Sequence, residues 1–381
     1  MPAPRSEPLL LTPGPLTTSR TTKEAMLRDW GSRDHDFIEL NARVRMRLVE
    51  IAGGAGTHVS IPLQGSGTFA VEAAVGTFVP RDGKLLVLVN GGYGRRIAKI
   101  CGLIGRAYRT LETPEDVPPT PAEVEEALAA DPDLTHVAIV HCETTTGLLN
   151  PLPEVADVAA RRGRGLLIDA MSSFGALPLD AREVRFDAVV ASANKCLEGV
   201  PGVGFVIART EALERSEGNA PSLSLDLYDQ WRSMEANGQW RFTPPTHVLA
   251  AFDQALEEHA DEGGVGGRGA RYQGNLKVLV EGMREMGFET FLPDELQAPV
   301  IVTFHMPEDP NFRFAAFYDE LRKQGYVIYP GKLAAAESFR IGCIGRLDEA
   351  DMRGVLAAIR EVLETMGVTR CGPARAAAAT A

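Results

Sequence analysis

A lysine that follows a short apolar segment is the residue in this sequence best placed for covalent chemistry. Residues 186–190 read FDAVV, which predicts a buried strand, and Lys195 follows shortly afterwards among small residues and glycines. In open α/β sheets, ligands bind at the carboxyl ends of the strands. A lysine at that edge can lose its proton by desolvation and condense with an aldehyde to form a Schiff base.

A carboxylate ends the preceding predicted strand. Residues 165–169 read GLLID, so Asp169 lies at the tip of a second buried segment. An acid and a lysine at the ends of two successive strands are what pyridoxal phosphate requires. The carboxylate keeps the ring nitrogen protonated and the lysine carries the aldehyde. A solvated loop lysine is the alternative interpretation of Lys195, and the nearby Asp169 argues against it.

A glycine-rich turn earlier in the chain is a candidate phosphate site. Residues 58–64 predict a strand, residues 65–68 read GSGT, and a helix is predicted from about residue 69 to 79. Such a turn presents backbone N–H groups and the positive end of the helix dipole to an anion. Alone it would be an ordinary turn. In front of the lysine segment it becomes a candidate site for a cofactor phosphate.

Four further positions carry side chains suited to ligand binding. Tyr93 lies in a glycine-flanked loop where it could stack on a flat ring, although an ordinary loop tyrosine is the alternative. The hydroxyls of Thr144–Thr146 could bind a cofactor or substrate, or could simply end their strand. Arg340 lies in an apolar strand, so we expect an anionic partner, either a local carboxylate or a substrate. Arg33, in a polar turn, is a weaker candidate anion ligand or a surface residue.

The elements around these positions predict an α/β fold. Strand and helix patterns alternate, which is typical of a parallel sheet with crossover helices, and this places the candidate turns along one edge. Residues 223–240 read as a polar loop, and the glycines of 261–267 mark a boundary. We therefore expect an arm at 1–15, a large domain at 16–262, a small α+β domain at 263–368 and a disordered tail at 369–381.

Composition excludes several function classes. The net charge of −12 argues against a nucleic acid or an anionic membrane as a partner, and no apolar run has the length of a membrane span. The five cysteines are scattered without a C-x-x-C pair, so neither a disulfide framework nor a metal site is predicted. Reduced thiols in a cytoplasmic enzyme are the expectation.

Eight motifs, taken in order, resemble those of the class V, fold-type I pyridoxal-phosphate aminotransferases. The motifs read LTPGPLTTS, PLQGSGTFAVEA, NGGYGRR, HCETTTGLLNP, DAMSSFGALP, SANKCLEGVPGVGF, RFTPPTH and SFRIGCIG, and the resemblance runs from about residue 9 to 368. The resemblance implies a large domain with a mainly parallel seven-stranded sheet between helices, and a small C-terminal α+β domain. It also implies pyridoxal 5′-phosphate as the cofactor and a homodimer with shared active sites.

The resemblance assigns roles to the matching positions. Lys195 matches the Schiff-base lysine, Asp169 the partner of the pyridine nitrogen, and Arg340 the arginine that holds the acidic group of the substrate. The other matches contact the cofactor: Ser66, Gly67, Thr68 and Ser192 at the phosphate, Tyr93 on the ring, Thr145 or a neighbouring threonine near the ring oxygen, and Thr243 at the phosphate of the other subunit.

The implied reaction moves an amino group from a small amine to a 2-oxo acid. The sequence is most similar to the branch that uses 2-aminoethylphosphonate and pyruvate. An alanine- or serine-glyoxylate activity is the alternative, and Tyr93 argues against it because those relatives usually carry tryptophan there. A cysteine desulfurase or lyase would need a nucleophilic thiol, whereas Cys196 reads as a small buried residue. A non-catalytic nucleotide-binding module is the rival from another class.

Overall fold

The structure is a computed structural model that describes residues 7–333 and 336–373. Residues 1–6 of the predicted arm and 374–381 of the predicted tail lie outside the described residues. The described strands are β1 Leu9–Leu10, β2 His58–Gln64, β3 Lys84–Val89, β4 Ala107–Glu112, β5 Leu134–Val140, β6 Cys142–Glu143, β7 Leu148–Leu149, β8 Gly165–Asp169, β9 Ala188–Ser192, β10 Val203–Arg209, β11 Ile301–His305, β12 Tyr326–Val327, β13 Tyr329–Pro330 and β14 Ser338–Gly342. The described α-helices are α1 Arg20–Glu24, α2 His35–Ile51, α3 Gly67–Phe78, α4 Gly92–Leu103, α5 Pro121–Ala130, α6 Leu152–Arg161, α7 Thr210–Glu214, α8 Leu227–Asn237, α9 Thr246–Asp261, α10 Gly264–Glu285, α11 Phe314–Lys323 and α12 Glu349–Met366.

The chain forms two compact units. The large unit comprises Thr18–Glu143 and Leu149–Arg268, and the small unit comprises residues 7–17, Thr144–Leu148 and the described residues from 269 onwards. None of the described helices is long and apolar enough to span a membrane.

A seven-stranded sheet forms the centre of the large unit. Its strand order is β2-β10-β9-β8-β5-β3-β4, and β10 is antiparallel to both of its neighbours. The other paired strands run parallel, as strand–helix–strand crossovers require. The predicted α/β class and mainly parallel seven-stranded sheet are confirmed. The carboxyl ends of β2, β3, β5, β8 and β9 share one edge.

Side chains of the central strands alternate between two cores, one on each face of the sheet. In β8, Leu166 and Ile168 join the core formed with α2, α5, α6 and α9, whereas Leu167 joins the core formed with α3, α4 and α8. Both faces are covered, which explains the continuous apolar runs read from the sequence. Helix α5 begins with a capping box, in which Thr120 and Glu123 each cap the other's backbone N–H.

The small unit has its own core and an antiparallel sheet of order β11-β14-β13. The described part of the N-terminal arm belongs to this unit, since β1 pairs in parallel with β12 and Leu11 is fully buried. Residues 326–330 form two short strands, β12 and β13.

Residues 223–240, predicted as a polar loop, contain the helix α8, so that prediction was wrong. Its buried side chains Leu227, Trp231 and Met234 follow helical spacing, Asp226 caps the first turn, and Gly238 ends the helix with a positive φ of 75°. The polar residues between them masked this pattern. The edge strand β4 was not predicted either, because most of its side chains are exposed.

The glycine-rich stretch at 261–267 differs from its expected role as a domain boundary. Only Gly263 and Gly264 adopt positive φ there, and α10 begins at Gly264 and continues through the remaining glycines. The change between units falls at Arg268, inside this helix, rather than at residue 262. Glycines in a first helical turn need not interrupt the helix, because packing compensates for their low propensity.

Candidate active site

Lys195 and Asp169 lie at the same edge of the large sheet. Asp169 is the last residue of β8, and Lys195 follows the end of its neighbour β9 by three residues. The two strands are paired in parallel, with Asp169 opposite Val190. The fold therefore brings the two ends together, as the sequence pattern indicated.

The Asp169 carboxyl is buried and has both acidic and basic side chains near it. Its residue is 7% exposed, and Oδ1 accepts a hydrogen bond from Met171 N at 3.0 Å. Burial raises the pKa of Asp169 to about 6, the hydrogen bond from Met171 opposes this rise, and the neighbouring Glu143 adds to it. The charges of Lys195 and Arg96 act in the lowering direction. A cationic group beside this carboxyl would stabilise its ionised form.

A tight turn at residues 193–199, here named the lysine turn, fixes the backbone around Lys195. Ala193 N donates to Val203 O at 3.0 Å, and Gly199 N donates back to Ala193 O at 2.8 Å. Glu198 N donates to Lys195 O, also at 2.8 Å. The half-buried Lys195 thus projects from a closed, hydrogen-bonded loop.

Cys196 in the lysine turn is not suited to act as a nucleophile. It is fully buried, and its Sγ lies 3.3 Å from Ser172 O. Burial raises the pKa of Cys196 to about 12, so the thiol stays protonated at neutral pH. This disfavours the desulfurase alternative.

The start of α3 lies against the segment that follows Asp169. Ser66 is the N-cap of α3, and its side chain makes no capping hydrogen bond. A Cβ added at Gly67 would stand only 2.3 Å from Met171 Sδ, so the first turn of α3 packs directly against the Met171 side chain. The helix N-terminus and its dipole therefore face the edge that carries Asp169, as an anion site requires.

Tyr93 and Thr68 are linked through an arginine that sequence reasoning missed. Arg96 Nη1 donates to Thr68 Oγ1 at 3.2 Å, and its guanidinium carbon lies 4.8 Å from the centre of the Tyr93 ring. Tyr93 N donates to Oε2 of the fully buried Glu143 at 3.1 Å. Arg96 in NGGYGRR and Glu143 in HCETTTG could have been noticed as charged residues within the quoted motifs.

The remaining candidates of the large unit differ in exposure. Ser192, the last residue of β9, is buried, whereas Arg33 is exposed in the turn before α2. Thr243 is exposed in the loop before α9 and lines a cavity of about 390 Å³ with Gln64 and Phe69, which flank the glycine-rich turn.

The small unit contains the other two candidates, Arg340 and Thr145. Arg340 is 1% exposed, donating from Nη1 to Thr144 O at 2.7 Å and from Nε to Pro330 O at 3.1 Å. Backbone carbonyls thus fix its guanidinium, an arrangement that the sequence did not predict. Thr145 is buried in the adjoining segment.

Comparisons with known proteins agree with this architecture. The chain is 59% identical to 2-aminoethylphosphonate–pyruvate transaminase 2 of Burkholderia lata, over 98% of this chain and 99% of the relative. It is also 59% identical to the 2-aminoethylphosphonate–pyruvate transaminase of Pseudomonas aeruginosa, over 95% of this chain and 97% of that protein.

Solved structures show the same fold. The alanine–glyoxylate aminotransferase of Nostoc sp. superposes with a TM-score of 0.88 at 24% identity, over 95% of this chain and 97% of that one. An aspartate aminotransferase of Thermus thermophilus gives a TM-score of 0.84 at 26% identity, over 94% and 99%. Finally, the family model for class V aminotransferases matches residues 64–335. The chain therefore belongs to the class V aminotransferases and has their fold-type I architecture.

Proposed function

We propose that this aminotransferase moves the amino group of 2-aminoethylphosphonate to pyruvate, giving phosphonoacetaldehyde and L-alanine. The observation that carries the proposal is the paired Lys195 and Asp169 edge in a chain that matches 2-aminoethylphosphonate–pyruvate transaminases along nearly its whole length. An aminotransferase of this kind acts on small amines and 2-oxo acids.

Class V aminotransferases use pyridoxal 5′-phosphate, and the residues at this edge fit that cofactor. The Asp169 carboxyl, whose pKa is raised by burial, suits a cationic ring nitrogen, and Lys195 suits the aldehyde. The N-terminus of α3 suits the phosphate, because it presents backbone N–H groups and its N-cap Ser66 makes no side-chain capping hydrogen bond. When bound, the cofactor supplies a carbonyl that takes up the amino group and a ring that accepts electrons. The proposed contacts are Ser66, Gly67, Thr68 and Ser192 at the phosphate, Tyr93 on the ring and Thr145 near the ring oxygen.

The protein's own groups handle the protons. Lys195 acts as the general base that removes the proton from the amino-bearing carbon of the donor and returns one to the acceptor side. Asp169 holds the proton at the ring nitrogen through charge and hydrogen bonding. Hydrogen bonds from Glu198 N to Lys195 O and from Gly199 N to Ala193 O hold the backbone that carries the Lys195 side chain.

Anion recognition is assigned to arginines. Donor and acceptor each bring an acidic group, a phosphonate or a carboxylate, and a guanidinium can pair two oxygens of either. We propose Arg340 as the main ligand, since backbone carbonyls already fix its orientation, and the exposed Arg33 as a weaker second ligand.

A homodimer with shared sites is part of the proposal. Phe69, Phe242 and Leu223 are large apolar side chains exposed by 52%, 49% and 72%, and Phe69 and Phe242 line the same cavity as Thr243. A second subunit covering this surface would bury them and bring Thr243 to the neighbour's phosphate. We also propose a cytoplasmic location, which is supported by five buried cysteines that form no disulfide.

A panel of amino donors tests the substrate assignment. The loaded protein should form alanine from pyruvate fastest with 2-aminoethylphosphonate and much more slowly with serine, aspartate or taurine. Replacing pyruvate with glyoxylate tests the alternative activity. Preference for a glyoxylate reaction with alanine or serine as donor would replace the proposed function.

A further inference from the structure

The lysine turn contains an unusual backbone conformation three residues after Lys195. Glu198 has a φ of 57°, and it is the one non-glycine residue with positive φ among the described residues. Side chains with a Cβ adopt this conformation at a cost, so the surroundings must hold it in place. Glu198 is also 3% exposed, so the lysine turn carries a buried carboxylate.

Arg268 is the cation that meets this carboxylate. It is 1% exposed, and its Nη1 lies 3.6 Å from Glu198 Oε1. The same Nη1 donates to Cys196 O, the carbonyl next to Lys195. Arg268 Nε pairs with Glu262 Oε2 at 2.7 Å, beyond the end of α9. One guanidinium thus connects the lysine turn to a neighbouring helix end.

Because Arg268 is buried, its contacts favour arginine over lysine at this position. A guanidinium presents its donors in a fixed planar fork, which lysine cannot reproduce. His259 is a third polar neighbour, and it lies 2.6 Å from Gly175 O through Nε2. Burial lowers the pKa of His259, which favours a neutral imidazole, so Arg268 faces two carboxylates and no opposing full charge from this histidine.

We propose that Arg268 and Glu198 are positioning residues that fix the backbone of Lys195 and thereby aim its amine. Neither residue touches the reacting atoms. They act through the Cys196 carbonyl and the positive-φ conformation at Glu198. This inference rests on the proposed aminotransferase role of Lys195, and it adds a positioning residue, Arg268, that lies outside the eight quoted motifs.

The test uses Arg268→Lys, Glu198→Gln and Glu198→Gly. Glycine removes the backbone strain and the carboxylate, whereas glutamine keeps the shape and removes only the charge. Arg106→Lys is the matched control, because Arg106 is also buried and holds backbone carbonyls of Val79 and Gly76 elsewhere in the large unit. If Arg268→Lys fails to fold, the two Glu198 variants still decide.

Two readouts need no substrate. Hydrogen exchange at the amides of Glu198 and Gly199 should accelerate by about tenfold or more in the Arg268 and Glu198 variants and stay unchanged in Arg106→Lys. The pH midpoint of the visible band of the loaded protein should shift in the same variants and not in the control. These results would hold even if the substrate assignment were wrong.

Turnover is the third readout. The three variants should lose kcat on the order of 10- to 100-fold while KM for pyruvate changes much less, because a misaimed base slows proton transfer without weakening binding. The proposal would be overturned if Arg268→Lys and Glu198→Gln, once folded and loaded with cofactor, kept the wild-type values. These values are the amide exchange rates, the pH midpoint of the visible band and kcat. A loss of kcat without any change in exchange or midpoint would also overturn it.

Discussion

Asp169 is the residue whose environment has the clearest consequence for stability. Its pKa is raised to about 6 by burial, above the ordinary value of 3.8. A raised folded-state pKa stabilises the fold at low pH, and this contribution is lost as the pH rises through about 6. In the cofactor-free protein, Asp169→Asn should therefore match the wild type near pH 4 and exceed it by about 2–3 kcal/mol above pH 7.

Urea unfolding of the cofactor-free proteins at several pH values measures this difference. The amide oxygen introduced by Asp169→Asn can still accept the hydrogen bond from Met171 N, so the comparison isolates the charge. If the unfolding free energies of the two proteins change with pH in the same way across pH 4–8, the raised pKa of Asp169 is contradicted. The same variant should lose transamination activity, because it cannot hold the ring proton by charge.

Arg340 is the residue on which anion recognition depends. Arg340→Ala should lower kcat/KM for both 2-aminoethylphosphonate and pyruvate, since either anion loses its partner. The expected loss corresponds to about 2–5 kcal/mol of transition-state stabilisation. Arg353→Ala is the control, because Arg353 is an exposed arginine of the small unit paired with Glu349. Unchanged kinetics for both substrates in folded, loaded Arg340→Ala would leave Arg340 with a structural role only, holding Thr144 O and Pro330 O.

Residues at strand ends were the most predictable part of the site. Lys195 and Asp169 follow apolar runs, and the parallel-sheet rule alone places them at one edge. Arg96 and Glu143 were missed because their partners, Thr68 and Tyr93, lie 28 and 50 positions away in the chain. The contacts of Arg268 with the lysine turn were missed for the same reason, since no local sequence pattern indicates them.

Helix α4 approaches strand β3 so closely that only glycine fits at one position of the helix. A Cβ at Gly94 would lie 2.8 Å from Leu88 O and 3.0 Å from Val89 Cα, both backbone atoms that cannot move aside freely. Gly94→Ala should therefore lower the free energy of unfolding by about 1–3 kcal/mol and weaken cofactor binding, because α4 carries Tyr93.

Gly266→Ala is the matched control for that substitution. Gly266 lies in α10, and a Cβ there would meet nothing within 4 Å. Alanine should raise stability by about 0.5–1 kcal/mol through helix propensity. Thermal unfolding with and without cofactor compares the two variants, and equal behaviour would contradict the close-packing argument.

Elements with a strong pattern were predictable and those without one were not. The buried strands β2 and β8 coincide with the predicted ranges, because their apolar runs are bounded by turns. Helix α8 was missed although its apolar residues have helical spacing, since polar and aromatic residues between them suggested a loop. Strand β4 forms mainly through backbone pairing with β3, which side-chain patterns do not report.

For the whole molecule, the main prediction is that Thr243 acts on the neighbouring subunit's site. Mixing Lys195→Ala chains with Thr243→Glu chains should restore activity, because the hybrid dimer has one site with both defects and one intact site. Random pairing gives up to about a quarter of the wild-type sites. Mixing Lys195→Ala with Asp169→Asn is the control, since both defects act within their own chain and no recovery is expected. Absence of recovery after demonstrated subunit exchange would argue for a site contained in one chain.

The boundaries of the two units follow only in part from the order of patterns in the sequence. A large α/β part and a small C-terminal part follow from the order of patterns along the chain. The assignment of Thr144–Leu148 to the small unit does not, because it depends on tertiary contacts such as the hydrogen bond from Ala298 N to Gly147 O at 2.9 Å.

The proposed function is amino transfer from 2-aminoethylphosphonate to pyruvate with Lys195 as the base. The most direct measurement is a single half-reaction: cofactor-loaded protein mixed with 2-aminoethylphosphonate alone, followed by absorbance and product analysis. We predict loss of the visible band with one phosphonoacetaldehyde released per site, recovery of the band with one alanine when pyruvate is added, and neither change in Lys195→Ala. An unchanged band and no aldehyde with the wild type, or full turnover by Lys195→Ala, would contradict the account.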